Sequence, residues 1–330
     1  MKHLITILFS IAALQVLHAQ KVAILNSESK ESFRGLSVVN DSILWVSGTH
    51  GTVGRSLDAG KTFQWMTVQG FEQFDFRDIE AFDENTALIM GISEPAYILK
   101  TKDAGQSWQV VYENPSQGMF LDAMDFYDNQ NGMVIGDPLD GKIFLARTND
   151  AGDSWNQIDT KNYPTLSKGE ACFASSGSNI VMLNKRKFAY ITGGIQSNLY
   201  IGKKKIKLPI IQGKESTGAN SLAVKNSSTW MVVGGDFLQK EEQIEHAVVT
   251  TNAGKSFSKP IEPPHGYRSC VQFLNVKTWI SCGLNGVDIT TDDGLHWQKI
   301  SSEGFHVCQK ARNGNAVYFA GQGKIGVYRE

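Results

Sequence analysis

The sequence is short of the features that mark several large classes of protein. Four cysteines in 330 residues cannot supply a disulfide framework, so stability must come from a buried core. Lys+Arg and Asp+Glu nearly cancel (32 against 33), which leaves no basic footprint for nucleic acid. With 41% hydrophobic residues and a net charge of -1, the chain is also far from the composition of disorder. No stretch after the N-terminal region approaches the roughly 18 apolar residues of a membrane span. Metal pairs of the His-x-x-x-His or Cys-x-x-Cys type are absent, and so is Gly-x-Ser-x-Gly. Gly321, Gly323 and Gly326 match the dinucleotide fingerprint literally, but too little chain follows to form the helix it requires. No cofactor or metal is therefore expected. Proline is scarce (8), whereas glycine (32), Trp (7), Tyr (9) and Phe (17) are plentiful. Many glycine turns with many aromatics point to an all-β chain.

Residues 1–19 read as a signal peptide. Lys2 precedes an apolar run from Leu4 to Leu17, and Leu17, His18 and Ala19 fit a cleavage site before Gln20. The run is too short to span a bilayer comfortably, and no cysteine follows it to carry a lipid. Residues 20–330 are expected to form one mature domain, secreted or periplasmic, monomeric and without a membrane span.

A motif of the form Ser/Thr-x-Asp-x-Gly-x-Thr/Ser-aromatic dominates that region. Its copies run Ser56–Phe63, Thr101–Trp108 and Thr148–Trp155, with looser ones at Thr250–Phe257 and Thr290–Trp297. The central residues Asp58, Asp103, Asp150, Asn252 and Asp292 are spaced by 45, 47, 102 and 40, the third being two periods of 51. A period of about 40–50 residues flanked by strands is that of a four-stranded propeller blade. In such a turn Asp accepts bonds from backbone N–H groups, Gly supplies a positive φ and the aromatic plugs inward. These residues are read as structural.

The repeats resemble Asp-boxes, or BNR repeats, as found in sialidases, the sortilin family, xyloglucan-cleaving glycosidases and the photosystem II stability/assembly-factor family. The last is most similar in size. The resemblance implies a seven-bladed β-propeller of four-stranded antiparallel blades and, from the assembly factors, a non-catalytic role holding protein partners through an Arg-bearing face. Arg-Ile-Pro, present in sialidases, does not occur.

Seven inner strands are expected to start at Phe33, Phe76, Phe120, Gly169, Ala219, Tyr267 and Phe305. The last blade runs out of chain, so Lys21–Asn26 is expected to complete it beside Lys324–Arg329. The residues after each start are Arg34, Arg77, Leu121, Glu170, Asn220, Arg268 and His306, a ring at the mouth of the central channel. Three guanidinium groups in one ring are costly without anions, so Arg34, Arg77 and Arg268 suggest a clamp for a carboxylate, sulfate or phosphate. Each could equally pair with a nearby carboxylate. His50, Glu94, Asp137 and Asp236 lie on loops at the same end. The leading function is a binding or assembly module for an anionic protein segment or acidic glycan. The alternative is a sialidase-like glycoside hydrolase or a polysaccharide lyase using Asp137 and Asp236. Cys172, Cys270 and Cys308 occupy core slots as thiols, although Cys270 and Cys282 could face one another across a hairpin as a disulfide.

Overall fold

The computed structural model describes residues 22–25, 28–92 and 94–329; the expected signal peptide lies outside them. The described chain forms strands joined by turns, without a helix. β1 (Ala23–Leu25) stands apart. It is followed by β2 (Phe33–Val38), β3 (Leu44–Gly48), β4 (Thr52–Ser56) and β5 (Gln64–Thr67), which pair in that order. The same meander recurs in β6 (Phe76–Ala81), β7 (Ala87–Gly91), β8 (Ala96–Thr101) and β9 (Gln109–Asn114), and in β10 (Leu121–Phe126), β11 (Gly132–Leu139), β12 (Lys142–Thr148) and β13 (Asn156–Gln157). Next come the short β14 (Glu170–Ala171) and β15 (Ile180–Met182), which both pair with β16 (Phe188–Gly194), then β17 (Asn198–Ile201) and β18 (Lys204–Lys207). β19 (Thr217–Val224), β20 (Trp230–Asp236) and β21 (Ala247–Thr250) join this sheet through a single pair, Gly193 with Gly218. β22 (Cys270–Asn275), β23 (Thr278–Gly283), β24 (Gly286–Thr290) and β25 (Gln298–Ser301) form another meander. The last sheet holds β26 (Val307–Lys310), β27 (Val317–Gly321), β28 (Lys324–Tyr328) and, at its outer edge, β1.

The inner strands touch in cyclic order: β2, β6, β10, β15, β19, β22, β26 and back to β2. Such a closed ring of antiparallel meanders is a β-propeller, with seven blades. Apolar side chains from adjacent blades pack face to face. One cluster joins Val22, Phe33 and Leu36 to Phe305, Phe319 and Tyr328, so the first and last blades share a core. The seal is the pairing of Ala23, Ile24 and Leu25 with Val327, Gly326 and Ile325. Lys21 and Asn26, the ends of the expected closing strand, lie outside the described residues.

The repeated turns connect the third strand of a blade to the segment that follows it. In the first, Ser56 Oγ accepts from Gly60 N (2.9 Å), while Asp58 accepts from Thr62 N (2.9 Å) and Thr62 Oγ1 (2.7 Å). Asp103 and Asp150 repeat this pattern with Ser107 and Ser154, and Asp292 with His296; Asn252 accepts from Ser256 N but donates its Nδ2 to Ser256 Oγ. Two successive residues have positive φ in each copy, for example Ala104 (65°) and Gly105 (84°). The glycine has a second reason to be there. A Cβ on Gly105 would lie 2.5 Å from Met66 Sδ, and one on Gly152 2.5 Å from Leu88 Cδ1, both in the preceding blade. The turn is thus a wedge beneath its neighbour. The fourth blade carries the Lys203–Lys205 run instead, and its turn residue Gly202 has nothing within 4 Å of a would-be Cβ.

All four cysteines are buried free thiols, and Cys270 lies directly opposite Cys282.

Two expectations follow. Removing residues 20–27 deletes the outer strand of the last blade and exposes the edge of β28, so the truncated chain should melt well below the full one; an unchanged melt would contradict the seal. The second concerns pH. Turn hydrogen bonds hold Asp58 and Asp103 at about 2, below the ordinary carboxylate value, so their contribution is present above about pH 4 and fades as pH falls towards 2. Burial raises Glu80 to about 7 and Asp125 to about 6, so they favour the fold below about pH 4 and that contribution is lost as pH rises through 6 to 7. Melting temperature measured from pH 2 to 8 should therefore peak at about pH 4 to 5.

Candidate functional site

The inner strands do not start regularly. In β2, Phe33 pairs with Gly48 and Gly35 with Ser47, so Arg34 is an extra, bulged residue. The same irregularity leaves out Arg77 in β6, Asp122 in β10 and Asn220 in β19. In the sixth blade Ser269 N donates to Cys282 O, opposite Cys270, and in the seventh His306 N donates to Ala320 O, opposite Val307. A bulge re-aims a side chain out of the pleat. Here it turns a set of polar side chains towards the channel end.

Five of these six residues, Arg34, Arg77, Asn220, Ser269 and His306, line one cavity of about 450 Å³. Its wall also contains Asp137, Cys172 and Ser175, and its apolar part is made by Phe120, Phe173, Phe237, Tyr267 and Leu284. The sixth, Asp122, is completely buried behind that wall.

The polar lining is unevenly satisfied. Arg77 Nε donates to Asp75 (2.8 Å), and its guanidinium lies 5.9 Å from the Phe120 ring centre. Asn220 Oδ1 accepts from Tyr267 OH (2.8 Å) and Ser175 Oγ (3.1 Å). Arg34 has no hydrogen bond or ion pair among the described residues; burial and then the Arg77 charge lower its pKa. Burial, Arg34, Arg77 and Lys324 hold His306 at about 3, so its ring is neutral at ordinary pH. Its Nε2 lies 3.2 Å from Ser32 Oγ. Burial pushes Asp137 up to about 6 against the opposing hydrogen bond from Cys172 N (2.9 Å). Asp122 is raised well above the ordinary range by burial and then by Asp137, with Arg77 acting in the opposite direction.

Arg34, Arg77, Asn220, His306 and Asp137 are thus brought together, and the other expected site residues lie elsewhere. Arg268 is fully buried in an ion pair with Asp288, with Nη1 donating to Asn285 Oδ1 (2.6 Å). Glu170 is consumed by Tyr200 OH (2.7 Å), Thr192 Oγ1 (2.7 Å), Asn198 Nδ2 (2.8 Å) and Lys205 Nζ (3.0 Å). Asp236 is buried, accepts from Leu238 N (3.0 Å) and lies 3.5 Å from Lys214 Nζ. His50 pairs with Glu31 (2.8 Å), and Glu94 accepts from Gly118 N (2.9 Å). Asp137 is the one carboxylate lining the cavity among the described residues.

The sequence reading placed Leu121 and Arg268 in the ring where the bulges put Asp122 and Ser269. A usable signal was present. Counting back fourteen residues from Gly48, Gly91, Gly136, Gly234 and Gly283 reaches Arg34, Arg77, Asp122, Asn220 and Ser269. Four of these glycines lie on a second strand where a carbonyl at or just before the start of the inner strand leaves no room for Cβ; on Gly283, for instance, it would lie 2.0 Å from Tyr267 O, and only Gly91 meets rings instead.

No family model and no curated protein matches the sequence. Solved structures do match. A structure of YCF48 bound to D1 peptide superposes with a TM-score of 0.68 at 14% identity, covering 94% of this chain and 95% of that one. YCF48 from Cyanidioschyzon merolae gives 0.62 at 12% identity, covering 94% and 99%. The WD40 β-propeller domain of Doa1 gives 0.61 at 15%, covering 94% and 96%. The fold is theirs. At these identities the likeness extends to architecture and stops there.

The two arginines should respond differently to mutation. Arg268→Gln leaves the buried Asp288 without its guanidinium, with only His265 (Nδ1 at 2.7 Å, N at 3.2 Å) still on it among the described residues, and breaking such a buried pair costs about 3–5 kcal/mol. Arg34→Gln removes an unpaired, partly buried cation next to another and should leave stability nearly unchanged. Denaturant melts of the two variants compare these outcomes.

Proposed function

We propose that this chain is an exported, non-catalytic binding module that holds an anionic segment of a partner protein in the cavity at the end of its propeller. The observation that carries this reading is Arg34. A guanidinium keeps its charge at every accessible pH, and inside a half-enclosed wall it is costly to leave without a counter-charge. Its neighbours Arg77 and the neutral His306 add a second cation and a further polar group. The apolar wall of Phe120, Phe173, Phe237 and Leu284 suits a segment that presents an apolar side chain beside its acidic group. Exposed Phe237 and Leu238 continue that apolar surface outside the cavity. The YCF48 structure bound to a peptide supports the same kind of use for this architecture. Export rests on residues 1–19, and the Asp-box reading of the turns on their sequence and hydrogen bonds.

Titration calorimetry with acidic peptides, their amide-neutralised counterparts and acidic glycans tests the reading. Acidic peptides should bind and neutral ones should not. Arg34→Gln should weaken binding by about 1.5–3 kcal/mol, the value of a hydrogen bond to a charged group. Equal binding of neutral peptides would remove the anionic requirement, and binding of acidic glycans alone would move the ligand to that class.

A further inference from the structure

Asp122 is the one bulged residue that does not reach the cavity, and its situation is anomalous. It is fully buried, and neither carboxylate oxygen has a hydrogen-bond partner. Other inner-strand acids, one in the preceding blade and one on the same strand, are stitched to backbone amides: Asp78 accepts from Ile79 N (2.9 Å) and Met124 N (2.6 Å), and Asp125 from Met182 N. Protonation would remove the charge on Asp122 but leave its oxygens without partners. Buried polar groups in this state call for a partner that the chain itself does not supply, a water, a ligand or an ion.

What lies beside it is a donor set. A carboxylate oxygen of Asp122, one of Asp137 and the Sγ of Cys172 all lie within 4.8 Å of one another. Asp137 Oδ1 is occupied by Cys172 N, which fixes the side chain and leaves Oδ2 available. The Cys172 thiol makes only a long contact with Ile191 O (3.8 Å).

We propose that Asp122, Asp137 and Cys172 bind a zinc-class divalent cation at the seam between the third and fourth blades. Two carboxylates and one thiolate are a borderline-soft set, which suits zinc better than calcium or magnesium. Tetrahedral zinc holds such donors roughly 3.5 Å apart, so the set closes on the ion with about 1 Å of adjustment. Three anionic donors balance the ion to a net single negative charge, which the nearby Arg77 offsets. Asp137 and Cys172 also line the cavity, so the fourth coordination position opens towards it and can take water or an anionic group. No motif spacing announces this site, because its donors come from β10, β11 and the segment just after β14.

The full mature chain, stripped with a chelator and dialysed, is titrated with zinc. Bound metal is read by mass spectrometry, and melting temperature is followed in parallel. Cobalt replaces zinc in a second series, because a thiolate ligand then gives a near-ultraviolet charge-transfer band. Wild type should bind one ion per chain, melt higher with zinc and show the band. Asp122→Asn should fold, lose the stoichiometric ion and lose the zinc-dependent rise. Cys172→Ser should lose the band, and it decides the matter if the Asn variant does not fold. Absence of tight zinc binding to wild type, or binding that survives both substitutions, overturns the proposal. None of these readouts depends on the peptide-binding reading.

Discussion

A propeller blade cannot bury itself. Each of the sheets described here is sandwiched between two others, and the ring exists only because the chain returns to its own first strand. Three residue pairs join β1 to β28. They are reinforced inside the ring by Arg312, whose backbone N–H donates to Val38 O (3.1 Å) and whose side chain reaches Ala81 O in the second blade. Without that closure the shared core of Phe33, Phe305 and Phe319 would face water on one side. The cavity would also lose the placement of His306 against Arg34.

The site depends on a smaller departure from regularity. An inner strand with a strict two-residue alternation would send Arg34 and Arg77 into the layers between blades, where a charge is untenable. The extra residue at each start turns the side chain along the channel instead. Arg268 marks the converse case. It sits one position before the bulge and is folded back into its own blade, where Asp288 on β24, Asn285 and the carbonyls of His265 and Tyr267 absorb its donors. Two arginines that look alike in sequence thus have opposite physical roles.

This explains what could be read in advance. The all-β class, the blade period and the turn chemistry of Asp58, Asp103 and Asp150 rest on local rules, and local rules are legible along a chain. The closing strand was legible because the last blade lacked a partner. The membership of the ring was partly hidden, because Phe120 and Tyr267 imitate the leading aromatics Phe33 and Phe76 while lying one residue earlier in register. Which loop carboxylates face one another is set by the relation between blades. Asp137 and Asp236 looked equivalent after their second strands, yet one lines the cavity and the other is tied to Lys214 and its own loop.

The glycine wedges divide the ring in a way that its near-symmetry conceals. Every repeated turn pins its blade to the one before, and two blades have no such turn: the fourth, with its lysine hairpin, and the seventh, whose outer strand arrives from the other end of the chain. The seams in front of those two blades therefore lack the wedge and are joined at their edges by polar contacts instead, Arg147 to Arg186 O (3.0 Å) and Lys185 to Asp128 (3.3 Å) at one, Lys310 to Leu274 O (2.6 Å) at the other. The wedges thus link the wheel into two arcs, one of blades four to six and one running from seven through one to three. The cavity straddles the division: Arg34, Arg77, Asp137 and His306 belong to the longer arc, and Cys172, Asn220, Tyr267 and Ser269 to the shorter. Any occupant that touches both walls bridges the two seams that carry no wedge, and so acts as a clasp between the arcs.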